Sequence, residues 1–164
     1  MTLEFAGVAA LLAVLPAGCA REGRAAAGAA TPEALAEAFV RAADSGDSAA
    51  LGRLFPPVAL VQRSLECGGD EAAGELGDER VKVSASVQRG RAAGARLVWR
   101  GAEDVGSTRM EAGEQRVGCT ARMPVEVHKL RVHFQVTMAG QARDEKQELR
   151  VVRFGTSAWF LQGM

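Results

Sequence analysis

The sequence predicts an α+β domain in which N-terminal helices pack on a curved antiparallel sheet. Two patterns support this fold class. Between residues 31 and 65, apolar residues recur at intervals of three and four, which is the spacing of one helix face. From Leu130 to Met138, apolar and polar residues alternate strictly, which is the spacing of a strand with one buried face.

The first helix is expected to begin after Thr31, because a threonine can cap the free backbone N–H groups of a helix. Pro32 suits the first helical position, and Glu33 lies at the positive end of the helix dipole. The sequence DSGD at 44–47 predicts the end of this helix, with Gly46 available for a left-handed cap and Asp47 or Ser48 able to cap the next helix. The expected apolar face consists of Leu35, Ala38, Phe39 and Ala42.

Two short helices and one long segment follow. Pro56 and Pro57 predict the end of the second helix, whose apolar face is Ala50, Leu51, Leu54 and Phe55. The third helix is expected to end at the sequence CGGD (67–70), with Val58, Val61 and Leu65 on one side. Residues 70–94 carry both helical and strand patterns, and we favour a helix.

The second half of the chain predicts a sheet. Val125 and Val127 are out of phase with Leu130, so a bulge or a break is expected near His128 and Lys129. Three other strands are expected, at 96–99, 147–154 and 158–163.

The N-terminus carries an uncharged apolar run from Phe5 to Ala20. A secretory signal has an apolar centre of about 7–15 residues followed by small residues. The sequence LPAGC at 15–19 resembles the lipobox of bacterial lipoproteins. That resemblance implies cleavage after Gly18 and acylation of Cys19, which holds the mature protein on a membrane. A plain signal peptide cut near Ala17 or Ala20, and a buried apolar helix, remain as alternatives.

The lipoprotein hypothesis predicts the organisation of the chain. Residues 1–18 form the signal peptide, residues 19–30 the lipidated cysteine and a flexible tether, and residues 31–164 the domain. If Cys19 is acylated, Cys67 and Cys119 are an even pair in an exported chain, for which a disulfide is the usual outcome. Two buried free thiols are the alternative.

The domain resembles the NTF2-like, or SnoaL-like, cone fold. The resemblance rests on EALAEAFVRAADSGDSAALGRLF (33–55), two helices with a short break, and on FGTSAWFL (154–161), which is similar to a last hairpin. It implies a sheet curled round the first helices, with a pocket at the open end. The family includes ketosteroid isomerase-like enzymes, ligand carriers and modules without known activity, so the fold alone does not choose a function.

The chemistry of the chain favours a domain that is not an enzyme. The isomerases of the resembled family use a pocket carboxylate with a tyrosine, and this chain contains no tyrosine. No acidic residue falls at an inward position between 130 and 138. His128 and His133 are expected on opposite faces of one strand, exposed, and therefore unable to act as a pair. We expect no metal and no cofactor.

The sequence therefore predicts a membrane-anchored, periplasm-facing lipoprotein of the bacterial cell envelope with a non-catalytic binding or scaffold domain. Its expected partners are the membrane, through the lipid anchor, and a small apolar ligand or another envelope protein. Lys and Arg number 20 against 20 Asp and Glu, so charge gives no reason to expect nucleic acid. A pocket would be lined by Phe39, Phe134 and Trp159. A SnoaL-like enzyme with an atypical pocket is the alternative.

Overall fold

The computed structural model describes residues 28–67, 71–116 and 118–164. The predicted signal peptide, Cys19 and the tether as far as residue 27 lie outside these ranges. The elements, in chain order, are α1 (Pro32–Ser45), α2 (Ser48–Arg53), α3 (Val58–Ser64), β1 (Leu65–Cys67), α4 (Glu71–Ala92), β2 (Arg96–Met110), β3 (Gln115–Arg116), β4 (Cys119–Ala121), β5 (Val125–Met138), β6 (Gln141–Phe154) and β7 (Trp159–Gly163). The α+β class predicted from the sequence is confirmed. Within the described ranges, no helix combines the length and apolarity that crossing a membrane requires.

The capping residues mark both ends of α1 and the start of α2, but α2 ends at Arg53, before Leu54, Phe55 and the predicted stop at Pro56. The Thr31 hydroxyl oxygen accepts a hydrogen bond from the Ala34 N–H at 3.1 Å and caps α1. Gly46 closes the other end of α1 in the left-handed conformation, with φ 70°. The Asp47 carboxylate then caps α2 by accepting from the Ala50 N–H at 2.8 Å.

The third helix is shorter than the sequence predicts. It ends at Ser64, and Leu65 begins β1 instead of extending the helix face. The reason is strand pairing, because Leu65 to Cys67 lie antiparallel to Cys119 to Ala121. Residues 70–94 are mainly helical, as favoured above, since α4 spans Glu71–Ala92.

The disulfide prediction is confirmed. Cys67 and Cys119 are directly opposite each other in β1 and β4, with their Cα atoms 4.0 Å apart, and their sulfur atoms are bonded. The bond therefore links α3 and its following strand to a segment 52 residues further along the chain.

The main sheet has four antiparallel strands in the order β2-β5-β6-β7, and a smaller sheet has the order β1-β4-β3. Strands β5 and β6 pair without interruption from Val125 opposite Phe154 to Met138 opposite Gln141. Ala139 and Gly140 connect them with φ values of 50° and 77°, the signature of a tight hairpin turn of type I′.

Two strand predictions differ from the structure in their details. The strand predicted at 96–99 extends to Met110, because its outer part pairs with β5 although its side chains are mostly exposed. The bulge or break expected near His128 and Lys129 is not in β5, which pairs with β6 without interruption. The bulge in this region belongs to β2, where Val105 has no partner opposite the step from Lys129 to Leu130, and a second irregularity lies at Arg100.

The phase change along β5 arises because apolar residues cover both faces of the sheet. Helices α1, α2 and α4 cover one face, which we call the helix-facing side, and its core includes Leu130, Val132 and Val151. Helix α3 and the small sheet cover the opposite side, where Val125 and Val152 are buried. Consecutive residues of one strand thus belong to different cores, and β5 needs no break.

The packed structure starts before the predicted domain boundary at residue 31. Ala29 and Trp159 exchange two backbone hydrogen bonds, of 2.9 and 2.8 Å, so the N-terminal segment pairs with β7. Gly28 is pressed against this strand, since a Cβ atom there would lie 2.5 Å from the Trp159 carbonyl oxygen. Residues 28 and 29 therefore lie beside β7 as part of the packed domain.

Candidate functional site

An apolar cleft lies between α1, α4 and the main sheet. Its volume is about 180 Å³. It is lined by Phe39, Val40, Ala43, Ser86, Val87, Gly90, Arg91, Ala95, Leu97, Phe134, Gln147 and Met164. We refer to it as the cleft.

The structure brings two of the three predicted pocket residues together. Phe39 of α1 and Phe134 of β5 both line the cleft. Trp159 does not line it, because β7 lies beyond β6 in the sheet and the indole is packed in the core with 4% of its surface exposed. Gly90 leaves room on the α4 wall, since a Cβ atom added there meets nothing within 4 Å.

One carboxylate and two guanidinium groups meet at the edge of the cleft. Asp44 accepts hydrogen bonds from Arg96 at 3.0 and 3.1 Å and from the Leu97 N–H at 2.8 Å. Arg91, which lines the cleft, approaches Asp44 only to 4.0 Å. The hydrogen bonds from Arg96 are the main reason that the pKa of Asp44 lies below its ordinary value, and burial opposes them. Asp44 is therefore a stable anion shared by two cations.

A second polar group lies elsewhere on the helix-facing side and consists of Asp104, Glu126, His128 and Arg153; we call it the histidine cluster. His128 Nδ1 bonds to the Asp104 carboxylate, and His128 Nε2 lies 3.0 Å from Glu126 Oε1. Arg153 Nη2 donates to the other Glu126 oxygen. The indole of Trp159 covers the cluster: the His128 ring lies edge-on with its centroid 4.8 Å from that of the indole, and Arg153 Cζ lies over the indole, 4.7 Å from the ring centroid.

The geometry of the histidine cluster favours a protonated His128. A neutral imidazole donates from one nitrogen only, whereas an imidazolium donates from both, and here a carboxylate lies at each nitrogen. Burial of the ring disfavours the charge, but the hydrogen bonds to Glu126 and Asp104 outweigh it and raise the pKa of His128. The pKa of Glu126 is lowered in turn, first by His128 and then by Arg153.

Protonation decides what this arrangement can do. Two negative and two positive charges balance when His128 is protonated, so the cluster joins β2, β5 and β6 as an ion-pair network. An imidazolium carries a proton on each nitrogen, so His128 cannot accept a proton from a substrate until it has given one of its own to a carboxylate or to solvent. Within the described part of the chain, no three ligand side chains are placed to hold a metal ion.

The histidine cluster corrects the expectation for His128. That side chain was expected to be exposed, yet only 17% of its surface is accessible, because β5 continues to Val125 and carries Glu126 and His128 on the helix-facing side. His133 does lie on the opposite face, 3.4 Å from Glu103, so the two histidines form no pair. Residues 130–138 contain no acidic side chain, as the sequence indicates. The strand begins five positions earlier, at Val125, and therefore also includes Glu126.

Replacing His128 by glutamine is expected to remove a pH dependence of stability. Because the folded-state pKa of His128 is raised, its contribution is complete below the unfolded value of about 6.5 and is lost as pH rises through the folded pKa. Melting temperatures from pH 6 to pH 9 should therefore fall in the wild type. His128→Gln should be less stable at pH 6, by about 1 kcal/mol, and flatter across this range.

The matched control is His133→Gln on the other face of β5, which should keep the wild-type pH profile. An unchanged slope in His128→Gln would contradict the assignment of the raised pKa to this side chain.

The comparisons with known proteins add no identity: no family model matches the sequence, and no curated protein matches it significantly.

Proposed function

We propose that this chain is a lipid-anchored protein of the bacterial cell envelope whose domain, of NTF2-like architecture, binds a small apolar ligand in the cleft without transforming it. The observation that supports ligand binding is the apolar cleft. Phe39, Val87 and Phe134 offer apolar surface in a space of about 180 Å³. Burying apolar ligand surface stabilises a complex by roughly 25 cal/mol per Å².

The size of the cleft limits the ligand. An engineered apolar cavity of about 150 Å³ accepts benzene. The cleft therefore suits one ring or a short alkyl chain, with any further part of the ligand outside it.

The non-catalytic part rests on the lining side chains. Among the described lining residues, Arg91 is the one with an ionisable side chain, and a guanidinium keeps its protons near neutral pH. An apolar ligand in the cleft would meet hydroxyl, amide and guanidinium donors but no side chain able to accept a proton from carbon.

The envelope location is supported by the cysteines. Cys67 and Cys119 are paired, as is usual after export to an oxidising compartment. The lipobox-like sequence at 15–19 supplies the anchor, and Gly28 and Ala29 hold the end of the tether beside β7. The NTF2-like architecture is supported by α1 and α4 packed on one face of a long antiparallel sheet.

The histidine cluster favours a second candidate, a SnoaL-like enzyme with an atypical site. His128 and two carboxylates converge on the helix-facing side, as an acid–base site requires. The binding function is preferred because both imidazole nitrogens are occupied, and because Asp104 and Glu126 are themselves held by partners.

Gly90→Leu is expected to block the cleft while leaving the fold intact. A side chain at this position enters open space, and leucine favours a helix by about 1 kcal/mol over glycine. The leucine side chain would displace an aromatic ring from the cleft. The affinity for a neutral aromatic such as phenylacetamide should fall by about tenfold or more, because the ligand would lose burial equivalent to about two methylene groups. Isothermal titration calorimetry measures this change.

Gly77→Leu is the matched control, because Gly77 is also on α4, exposed and free of neighbours within 4 Å. Both variants should melt at or above the wild-type temperature. If Gly90→Leu and the wild type bind phenylacetamide equally, the cleft is not the binding site.

A further inference from the structure

We infer that the cleft is selective for a small apolar monocarboxylate whose carboxylate binds Arg91. This inference rests on the proposed function, since it names the class of ligand for the same cleft. It is carried by the charges at the edge of the cleft and by the free donors of Arg91.

The edge of the cleft carries one surplus positive charge. Asp44 is the anion between Arg91 and Arg96, and Arg96 binds both of its oxygens. The Leu97 N–H also donates to Asp44, so little of this carboxylate is left for Arg91, which stays 4.0 Å away. Two cations thus share one anion, and Arg91 is the less compensated of the two.

Arg91 retains hydrogen-bond donors for a ligand. Its Nη1 donates to the Ala95 carbonyl at 3.3 Å, and within the described part of the chain Nη2 has no partner. The side chain is half-buried, with 32% of its surface exposed, and its stem packs beside Gly46. The guanidinium is therefore held at the cleft rather than free in solvent, which reduces the entropy lost on binding an anion.

The two halves of the site specify the two halves of the ligand. The apolar walls accept a single ring or short chain, and the guanidinium accepts one carboxylate at the edge. The other polar lining side chains, Ser86 and Gln147, are neutral and give no charge preference. Phenylacetate matches this description, whereas phenylacetamide matches the shape without the charge and acetate matches the charge without the ring.

The test compares dissociation constants for these three compounds by isothermal titration calorimetry on the mature chain. The wild type should bind phenylacetate about tenfold more tightly than phenylacetamide, the size of one charge-assisted hydrogen bond. Arg91→Gln should remove this advantage, so that phenylacetate and phenylacetamide bind with similar dissociation constants. Arg89→Gln, two residues away on an exposed part of α4, should behave as the wild type.

Each other result overturns the inference in a distinct way. Equal affinities for the acid and the amide leave the apolar cleft as a binding site but remove its charge selectivity. Binding of acetate as tight as that of phenylacetate indicates an anion site without an apolar subsite. Loss of phenylacetamide binding in Arg91→Gln shows that Arg91 shapes the cleft instead of selecting charge. No binding of either aromatic compound refutes both this inference and the proposed function.

Discussion

Replacing Cys67 and Cys119 together by alanine is expected to produce the largest loss of stability of any change discussed here. The disulfide closes a loop across 52 positions, for which the chain-entropy model gives about 4 kcal/mol. The bond also holds β1 against β4 over the core on the opposite side of the sheet, where Val61 and Ala121 are buried. The melting temperature should fall by roughly 10 °C or more.

The measurement is thermal unfolding followed by circular dichroism, for the double variant and for the wild type with and without reductant. Cys19→Ser is the control, because Cys19 takes no part in the predicted pairing. A double variant that melts within a few degrees of the wild type, or a wild type insensitive to reductant, would show that the bond does not stabilise the domain.

Replacing Cys19 by serine is expected to move the protein from the membrane to the soluble fraction. Acyl chains contribute about 0.8 kcal/mol for each buried methylene, so their loss changes membrane affinity by many orders of magnitude. The full chain is expressed in a Gram-negative host and separated by detergent-phase partitioning. Wild-type protein should enter the detergent phase, and Cys19→Ser should remain in the aqueous phase.

Ala20→Ser is the matched control for this experiment, since it changes the neighbouring residue and keeps the thiol. It should partition as the wild type does. If the Cys19→Ser variant still enters the detergent phase, the lipoprotein hypothesis is wrong, and an apolar N-terminal segment would be the membrane contact.

The helices could be predicted because their signals are local. Thr31, Gly46 and Asp47 each act on residues within four positions, and the structure uses all three as caps. Leu65 shows the limit of such signals. It continues a helical pattern, but pairing with Ala121, distant in sequence, places it in a strand.

The sequence pattern does not predict the full length of β2, for a different reason. Glu103 to Arg109 are exposed, so this part of the strand lacks the alternation that marks one buried face. Its extended conformation comes from hydrogen bonds to β5, which composition does not reveal.

The histidine cluster was missed because one phase was assumed for the whole of β5. Val125 and Val127 belong to the core on the opposite side, so Glu126 and His128 between them face the helices. A change of apolar phase within one strand can thus indicate that both faces of a sheet are covered, as well as a bulge. Cys67 and Cys119 could be paired from the sequence because, with Cys19 assigned to the lipid anchor, they are the two cysteines that remain.

We propose that the ligand binds in the cleft and not at the histidine cluster. The most direct measurement is a ¹H–¹⁵N chemical-shift titration of the wild-type domain with phenylacetate. If the ligand enters the cleft, saturating shifts are expected at the amides of Phe39, Val87, Leu97 and Phe134, with those of Asp104 and His128 unchanged. Saturating shifts centred on Glu126 and His128, with the cleft amides unmoved, would contradict this proposal and favour the enzyme.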